Sequence, residues 1–268
     1  MEKYDVRFKK RLGQNFLKDN SVVKRIVDVS GVDSNSLVIE VGPGGAIMTR
    51  ELANKASNVL AYEIDTDLTL ELEKRLCDYE NVDIIFQDFL VADIASDIKD
   101  YDYKDLFFVS NVPYYITTPI ILKLIKSGLN FKNIVMMVQK EVGDRFCAST
   151  GSREYGSITV LLNYFYDIKK EFFVSKKQFV PEPKVDSVIV SFREKNNKIE
   201  VSDFDFFEEL VRNSFQFKRK NIKNNLFKYN LKIVESVLDK YGYDLTVRAE
   251  NLDVEIFIEL ANELLKNR

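Results

Sequence analysis

The sequence predicts an α/β fold, a mostly parallel sheet with an antiparallel edge strand, followed by a small all-helical domain. Three observations predict it. Between residues 37 and 139, short apolar runs alternate with amphipathic stretches. Two more strand-like runs follow before residue 194, and beyond residue 198 helical spacing continues with no strand candidate. Strands that alternate with helices build parallel sheets covered on both faces.

The buried strands read as LVIEV (37–41), VLAYE (59–63), VDIIF (82–86), LFFVSN (106–111) and NIVMMVQ (133–139). Each is short and rich in β-branched or aromatic residues, as a strand covered on both faces requires. Residues 46–57, 67–77 and 117–127 carry helical spacing of apolar positions. SITVLLNYFY (157–166) and SVIVSFR (187–193) read as two late strands joined by a proline-containing connection, an antiparallel pair at the sheet edge. Four helices are expected at 203–217, 219–228, 231–241 and 251–266. The domain boundary is placed near Asn196–Lys198, giving domains 1–196 and 197–268.

Composition excludes several chemistries. At 268 residues, 46% hydrophobic and 30% charged, the chain is long enough for one α/β domain and a small second one. No apolar run approaches the roughly 18 residues of a membrane span, and MEKYDVRFKKRLGQNF has no apolar signal core. A cytoplasmic protein with no membrane partner is expected. The absence of histidine removes Ser-His-Asp and Cys-His nucleophiles and every His-ligated metal. Two cysteines cannot build a Cys-rich zinc site, so no metal is expected.

Net charge is −3, yet the charge is segregated: Arg212–Lys232 holds seven Lys or Arg and no acid. Met1–Leu12 and Lys169–Lys184 each hold five basic and two acidic residues. Separated blocks of one sign can give a polyanion-binding face, although charge alone favours a set of solvated helix faces.

Chemistry enters at the strand ends. The first strand runs into EVGPGGAIMT (40–49), where glycines let backbone approach a ligand and aim N–H groups at it. Glu63 closes the second strand, where a carboxylate can accept both hydroxyls of a ribose. Together they indicate a nucleoside-containing cofactor without saying which. Asp88, at the end of the third strand, suits either an adenine amino group, with Phe89 against the ring, or a helix cap.

The fourth strand ends in NVPYY (111–115). An asparagine oxygen and the carbonyl before a proline can accept both hydrogens of one exocyclic amine, freeing its lone pair. Tyr114 offers a face for a flipped-out base, while Tyr115 reads as core. The stretch therefore resembles a clamp for the amino group of a planar base.

At these residues the chain resembles a class I, Rossmann-like S-adenosyl-L-methionine-dependent methyltransferase of the rRNA adenine N6,N6-dimethyltransferase family, nearest its small-subunit branch. The resemblance spans RLGQNFL (11–17), EVGPGGAIMT (40–49), NVPYYITTPI (111–120), VQKEVGDRF (138–146), YGSITVLLNYF (155–165), FVPEPKVDS (179–187), FKRKNIKNNL (217–226) and RAENL (248–252). It implies that Gln14, Asn15 and Leu17 cover S-adenosylmethionine, that Gly42 and Gly44 face its methionine end, and that Glu63 and Asp88 hold ribose and adenine. Asn111 and Pro113 would hold the target amino group, Tyr114 would stack on the target adenine, and Phe179 would close over its other face. Residues 1–196 would be catalytic and 197–268 RNA-binding, with Lys218, Arg219, Lys220 and Lys223 on phosphates. The implied substrate is two adjacent adenosines in the 3′-terminal hairpin loop of small-subunit rRNA, in an immature small subunit, modified by a monomer.

Two positions depart from the family pattern: Ala46 stands where its third glycine falls, and Val112 replaces a leucine. Rival readings are a relative that methylates large-subunit rRNA, a non-catalytic assembly factor, and a nicotinamide dehydrogenase.

Overall fold

The computed structural model describes residues 16–17, 19–196 and 199–267, Phe16 by its backbone alone. The chain separates into two compact units: one runs to Gly143 and resumes over Lys169–Glu194, and the other joins Asp144–Ile168 to the chain from Lys195 onward.

The first unit carries β1 (Phe16–Leu17), α1 (Asn20–Ser30), β2 (Ser36–Val41), α2 (Ile47–Ala53), β3 (Asn58–Glu63), α3 (Thr69–Leu76), β4 (Val82–Phe86), α4 (Ile94–Asp97), β5 (Asp105–Ser110), α5 (Thr117–Lys126) and β6 (Phe131–Gln139). Helix α6 (Lys140–Phe146) follows, and α7 (Ser157–Phe165) leads into β7 (Tyr166–Val174), β8 (Phe179–Val180) and β9 (Ser187–Glu194). Among the described residues a seven-stranded sheet runs β4-β3-β2-β5-β6-β9-β7. Its first five strands are parallel, and β9 pairs antiparallel with β6 from Asn133↔Arg193 to Gln139↔Ser187. A separate two-stranded ribbon pairs Leu17 with Phe179.

Every residue of β2 is buried, as expected of a strand with helices on both faces. On one face α1 and α2 press Val23, Ile26, Val27 and Leu52 against Val38, Val59, Phe107 and Val135. Asp19 caps α1 through Ser21 N–H, and Gly31 at φ 77° ends it in the left-handed conformation.

The second unit has its own core. Helices α8 (Phe204–Ser214), α9 (Ile222–Asn225), α10 (Leu231–Lys240) and α11 (Val254–Lys266) pack Phe207, Leu210, Leu238 and Phe257 together with Val160 and Leu161 of α7.

Two predicted elements differ. SITVLLNYFY is helix α7, and the strand at the sheet edge is the next segment, YDIKKEFFV (β7). A continuous apolar run fits a buried helix as well as a buried strand. Thr159 settles it locally: its Oγ1 accepts Gly156 N–H at 3.2 Å and donates to Arg145 O at 2.7 Å, fixing a helical first turn. The helix expected over 219–228 shrinks to the four residues of α9, because Asn221 caps it late and residues 215–220 form turns.

Candidate active site

The strand order reverses direction about β2, which lies between β3 and β5. Pairing of β2 with β3 continues to Val41↔Tyr62, whereas pairing with β5 stops at Ile39↔Phe108. The strands part there, and Ser110 bridges the gap by donating to Val41 O at 2.6 Å and accepting Val41 N–H at 3.3 Å. Open α/β sheets bind ligands at such a point, at the carboxyl ends of their strands. A cavity of about 320 Å³ opens there, lined by Leu17, the 41–45 turn, Glu63, Asp88 and residues 111–116.

The glycine turn is held from both sides. Gly42, at φ 75°, donates to Tyr62 O at 2.8 Å, and Gly44, at φ 54°, donates to Glu63 Oε2 at 3.3 Å. A β-carbon disfavours these angles, which accounts for glycine at both positions. Ala46 follows at φ 57°, ψ 19°, fully buried, donating to Pro43 O at 2.8 Å and forming the N-cap of α2. Its methyl packs with Leu68, Leu72 and Leu76. The turn thus takes the left-handed conformation at residue 46 without a glycine.

Two carboxyls sit beneath it. Glu63 accepts from Gly44 N–H and, through Oε1, from Asp65 N–H at 2.9 Å, and burial pushes its pKa above the ordinary carboxyl value. A carboxylate offers about four lone-pair sites, so it keeps capacity for a further hydroxyl donor. Glu40 is fully buried, and its pKa is pushed up to about 8 by burial, with the neighbouring Glu63 adding to the rise. The Thr49 hydroxyl lies close enough to soften the shift, yet Glu40 Oε2 and Thr49 Oγ1 have no hydrogen-bond partner among the described residues.

Asp88 is a helix cap that also lies on the cavity wall. Its Oδ1 caps the short 3₁₀ turn 89–91 through Leu90 N–H at 2.9 Å, while the residue lines the cavity. Phe89 behind it meets Tyr62 edge-on at 5.1 Å. Lys123 fastens this rim from α5, donating to Leu90 O and Ala92 O at 3.1 and 2.6 Å.

The NVPY stretch forms the opposite wall. Val112 is buried, and Pro113 heads a 3₁₀ turn over 114–116, in which Ile116 N–H occupies the Pro113 carbonyl at 3.1 Å. The proline's own carbonyl is thereby engaged, and the carbonyl before it, that of Val112, is the group this turn leaves for a ligand. Tyr114 is fixed at its far end by a 2.6 Å hydrogen bond between its hydroxyl and Ser187 Oγ, at the start of β9. Burial raises the pKa of that phenol, so it is neutral across the physiological range.

The cavity therefore brings together Leu17, Gly42, Gly44, Glu63, Asp88, Asn111, Pro113 and Tyr114. Gln14 and Asn15 lie outside the described residues. Phe179 does not reach the cavity: it is 0% exposed in the core beside Leu17, because its pairing in β8 turns it inward. Tyr115, read from sequence as core, is instead 61% exposed at the cavity mouth. Lys218, Arg219 and Lys220 lie exposed on the turn after α8, and Lys223 on α9, all in the helical unit. Ile47, Ile64, Lys123 and Ser187 escaped sequence reasoning. Only the exposed Ile64, directly after the acid of β3, carried a local signal, an apolar residue where a loop begins.

The lining fits S-adenosylmethionine. It pairs a buried acid and a glycine turn with an apolar wall of Ile47, Ile64 and Leu90, matching a ligand with a hydroxylated ribose, a charged amino-acid end and a flat base. Among the described residues no group of three acidic or thiol side chains could hold a metal ion, and no helix is long and apolar enough to cross a membrane.

Comparison with known proteins agrees with this geometry. The family model for ribosomal RNA adenine dimethylase matches residues 5–266. The chain is 40% identical to the ribosomal RNA small subunit methyltransferase A of Bacillus mycoides, over 100% of this chain and 95% of that one. Its structure resembles a dimethyladenosine transferase from Plasmodium falciparum, with TM-score 0.80 and 28% identity over 94% of this chain and 98% of that one. It also resembles the 23S rRNA methyltransferase ErmE, with TM-score 0.72 and 28% identity over 93% and 99% of the two chains. A family model spanning nearly the whole chain places this chain in the ribosomal RNA adenine dimethylase family.

Proposed function

We propose that this chain dimethylates the N6 amino groups of two adjacent adenosines in the 3′-terminal hairpin loop of small-subunit rRNA, as a cytoplasmic monomer acting on an immature small subunit. The observation that carries the reading is that Asn111, Val112, Pro113 and Tyr114, the residues of the amine clamp, line the same cavity as Glu63 and Asp88. S-adenosylmethionine, when bound, supplies an electrophilic methyl on a sulfonium.

The residues of the chain do the remainder. Glu63 would accept the ribose hydroxyls and Asp88 the adenine amino group of the donor, Gly42 and Gly44 would face its methionine end, and Gln14, Asn15 and Leu17 would cover it, as the family resemblance implies. The Asn111 side-chain oxygen and the Val112 carbonyl each accept one N–H of the target amine. Holding both hydrogens draws the nitrogen away from conjugation with the ring and aims its lone pair at the methyl. The nitrogen–carbon bond forms as the carbon–sulfur bond breaks, and the surplus proton leaves to solvent, so no histidine base is needed. Tyr114 stacks on the target adenine, a contact worth about 1–3 kcal/mol. Phe179 acts indirectly, backing Leu17 from the core. Lys218, Arg219, Lys220 and Lys223 contact phosphates, so affinity for RNA falls steeply with salt.

The test supplies labelled S-adenosylmethionine with small or large subunits from a strain that lacks the modification. N6,N6-dimethyladenosine confined to the small subunit is expected, and label in the large subunit alone would refute the substrate assignment. Asn111→Ala is expected to abolish transfer while RNA binding stays within about threefold, since it removes one acceptor of the clamp and no phosphate contact.

A further inference from the structure

The helical unit has a second cavity, of about 590 Å³, with Phe217, Phe227, Asn213, Gln216 and Lys228 in its lining. Phe217 is 50% exposed and Phe227 61%. Single exposed apolar residues are ordinary, but two phenylalanines on the wall of one cavity are not. Both lie within the basic segment, and the Lys228 ammonium stands 5.7 Å from the Phe227 ring centre.

The turn between them is built, not loose. Asn225, 5% exposed, accepts Phe217 N–H at 2.9 Å and donates to Phe217 O and Lys220 O at 3.4 and 3.3 Å. Deeper in the cavity Asn213 donates to the Tyr229 hydroxyl at 2.8 Å, and that hydroxyl reaches Glu209 at 3.3 Å. The cations sort themselves by place. Arg212, Lys240 and Lys266, on the helices, pair with Glu208, Glu259 and Glu263. Lys218, Arg219, Lys220, Lys223 and Lys228 are exposed and in no ion pair among the described residues. Aromatic faces with an unpaired Lys228 beside them, polar side chains in the same lining and further unpaired cations in the same basic segment match a single-stranded nucleotide: phosphate for the cations, a base for the rings, and edge hydrogen bonds for the amide and carboxylate.

We propose that this cavity binds one unpaired nucleotide of the RNA, its base against Phe217 and Phe227, as a base-binding site additional to the one that receives the methylated adenine. The proposal rests on the reading of this chain as an rRNA-modifying enzyme, and it concerns a different cavity from the one that carries that reading.

The probe is a labelled 12-nucleotide oligouridylate, compared with an abasic strand of the same length and charge. The full chain is expected to prefer the strand with bases. A Phe217→Ala/Phe227→Ala variant is expected to lose about 5- to 150-fold of its affinity for oligouridylate, the range of one stacked base, and little for the abasic strand. The dependence of affinity on salt should keep its slope, because no phosphate contact is removed. Phe217→Leu/Phe227→Leu keeps an apolar side chain but removes the ring and should show the same loss. Equal affinity of the wild type for both strands, or a base preference that survives both double variants, would overturn the proposal. If an acidic peptide competes for the cavity while the abasic strand binds as well as oligouridylate, a protein partner replaces RNA. The two readings separate cleanly. Methylation of small subunits with no effect of the phenylalanine variants leaves the function and removes this site. Base preference lost in the variants without methylation does the reverse.

Discussion

Ala46→Gly tests whether the departure from the family's glycine pattern alters the cofactor turn. Ala46 already sits at φ 57°, and the left-handed conformation costs an L-residue roughly 1–2 kcal/mol. Glycine would relieve that strain. Against it stand the buried methyl, about 0.8 kcal/mol by transfer, and the extra freedom of glycine in the unfolded chain, roughly 0.5–1 kcal/mol. The terms nearly cancel, so stability should change by less than about 1 kcal/mol, or a few degrees in Tm for a chain of this size. The turn hydrogen bonds, Gly42 to Tyr62, Gly44 to Glu63 and Ala46 to Pro43, are already closed, so affinity for S-adenosylmethionine should change less than about threefold. Calorimetric titration with the donor and urea unfolding measure the two quantities. A gain above about 2 kcal/mol together with tenfold tighter donor binding would refute the reasoning, since alanine would then be distorting the turn. Ala46→Val supplies the opposite sign: a β-branched side chain at this φ, wedged against Leu68 and Leu72, should cost several kcal/mol.

The hydrogen bond between Tyr114 and Ser187 joins the stacking ring to β9. Tyr114→Phe and Ser187→Ala should each lower kcat/KM about 5- to 100-fold, and the double variant should be no worse than the poorer single one; additive losses would show that the two do not act through one bond. Glu40, with its pKa raised to about 8, is protonated in the folded chain but ionised in the unfolded chain from about pH 4.5 upward. Its contribution is therefore present at low pH and is lost as pH rises towards 8, at about 1.4 kcal/mol per pH unit at most. Glu40→Gln should flatten the fall of Tm between pH 5 and 8 and stabilise the protein at pH 8, and an unchanged slope in melts across that range would contradict the burial argument. Asn225→Ala removes three hydrogen bonds from the basic turn and should cost roughly 2–3 kcal/mol in urea unfolding, with weaker RNA binding at unchanged affinity for the methyl donor.

The parallel strands were legible because each apolar run has a strand's length, and the structure places 37–41, 59–63 and 82–86 within a residue of those bounds. Glu40, Glu63, Asp88 and Asn111 stand at or just beyond strand ends, and the parallel topology brings them to one edge of the sheet. What the sequence hides is the direction in which a side chain points once its segment is paired. Phe179 stands in a stiff proline-rich stretch that reads as an exposed loop, yet two residues of antiparallel pairing with Leu17 turn it into the core. Tyr115 is the converse: the 3₁₀ turn that begins at Tyr114 rotates successive side chains by about a third of a turn, so one tyrosine reaches Ser187 and its neighbour faces solvent. Likewise SITVLLNYFY has no periodicity that separates strand from helix, and only the Thr159 contact with Arg145 O, a pairing across 14 positions, selects the helix.

Charge carries the same lesson for function. A net charge of −3 argues against a polyanion partner, and counting residues by segment leaves the question open. Pairing decides it. On α8 the Arg212 charge is met by Glu208 one turn earlier, and on α10 the Lys240 charge by Glu259 of α11, so these cations are spent within the fold. The turn between α8 and α9 contains no acid, and its backbone is tied inward through Asn225, which leaves Lys218, Arg219 and Lys220 nowhere to point but outward. The excess of acids that makes the chain anionic lies elsewhere in sequence, and at physiological ionic strength screening over about 8 Å confines its effect on an incoming phosphate. Which cations remain unpaired in one place is a property of the fold that no sum over the sequence contains.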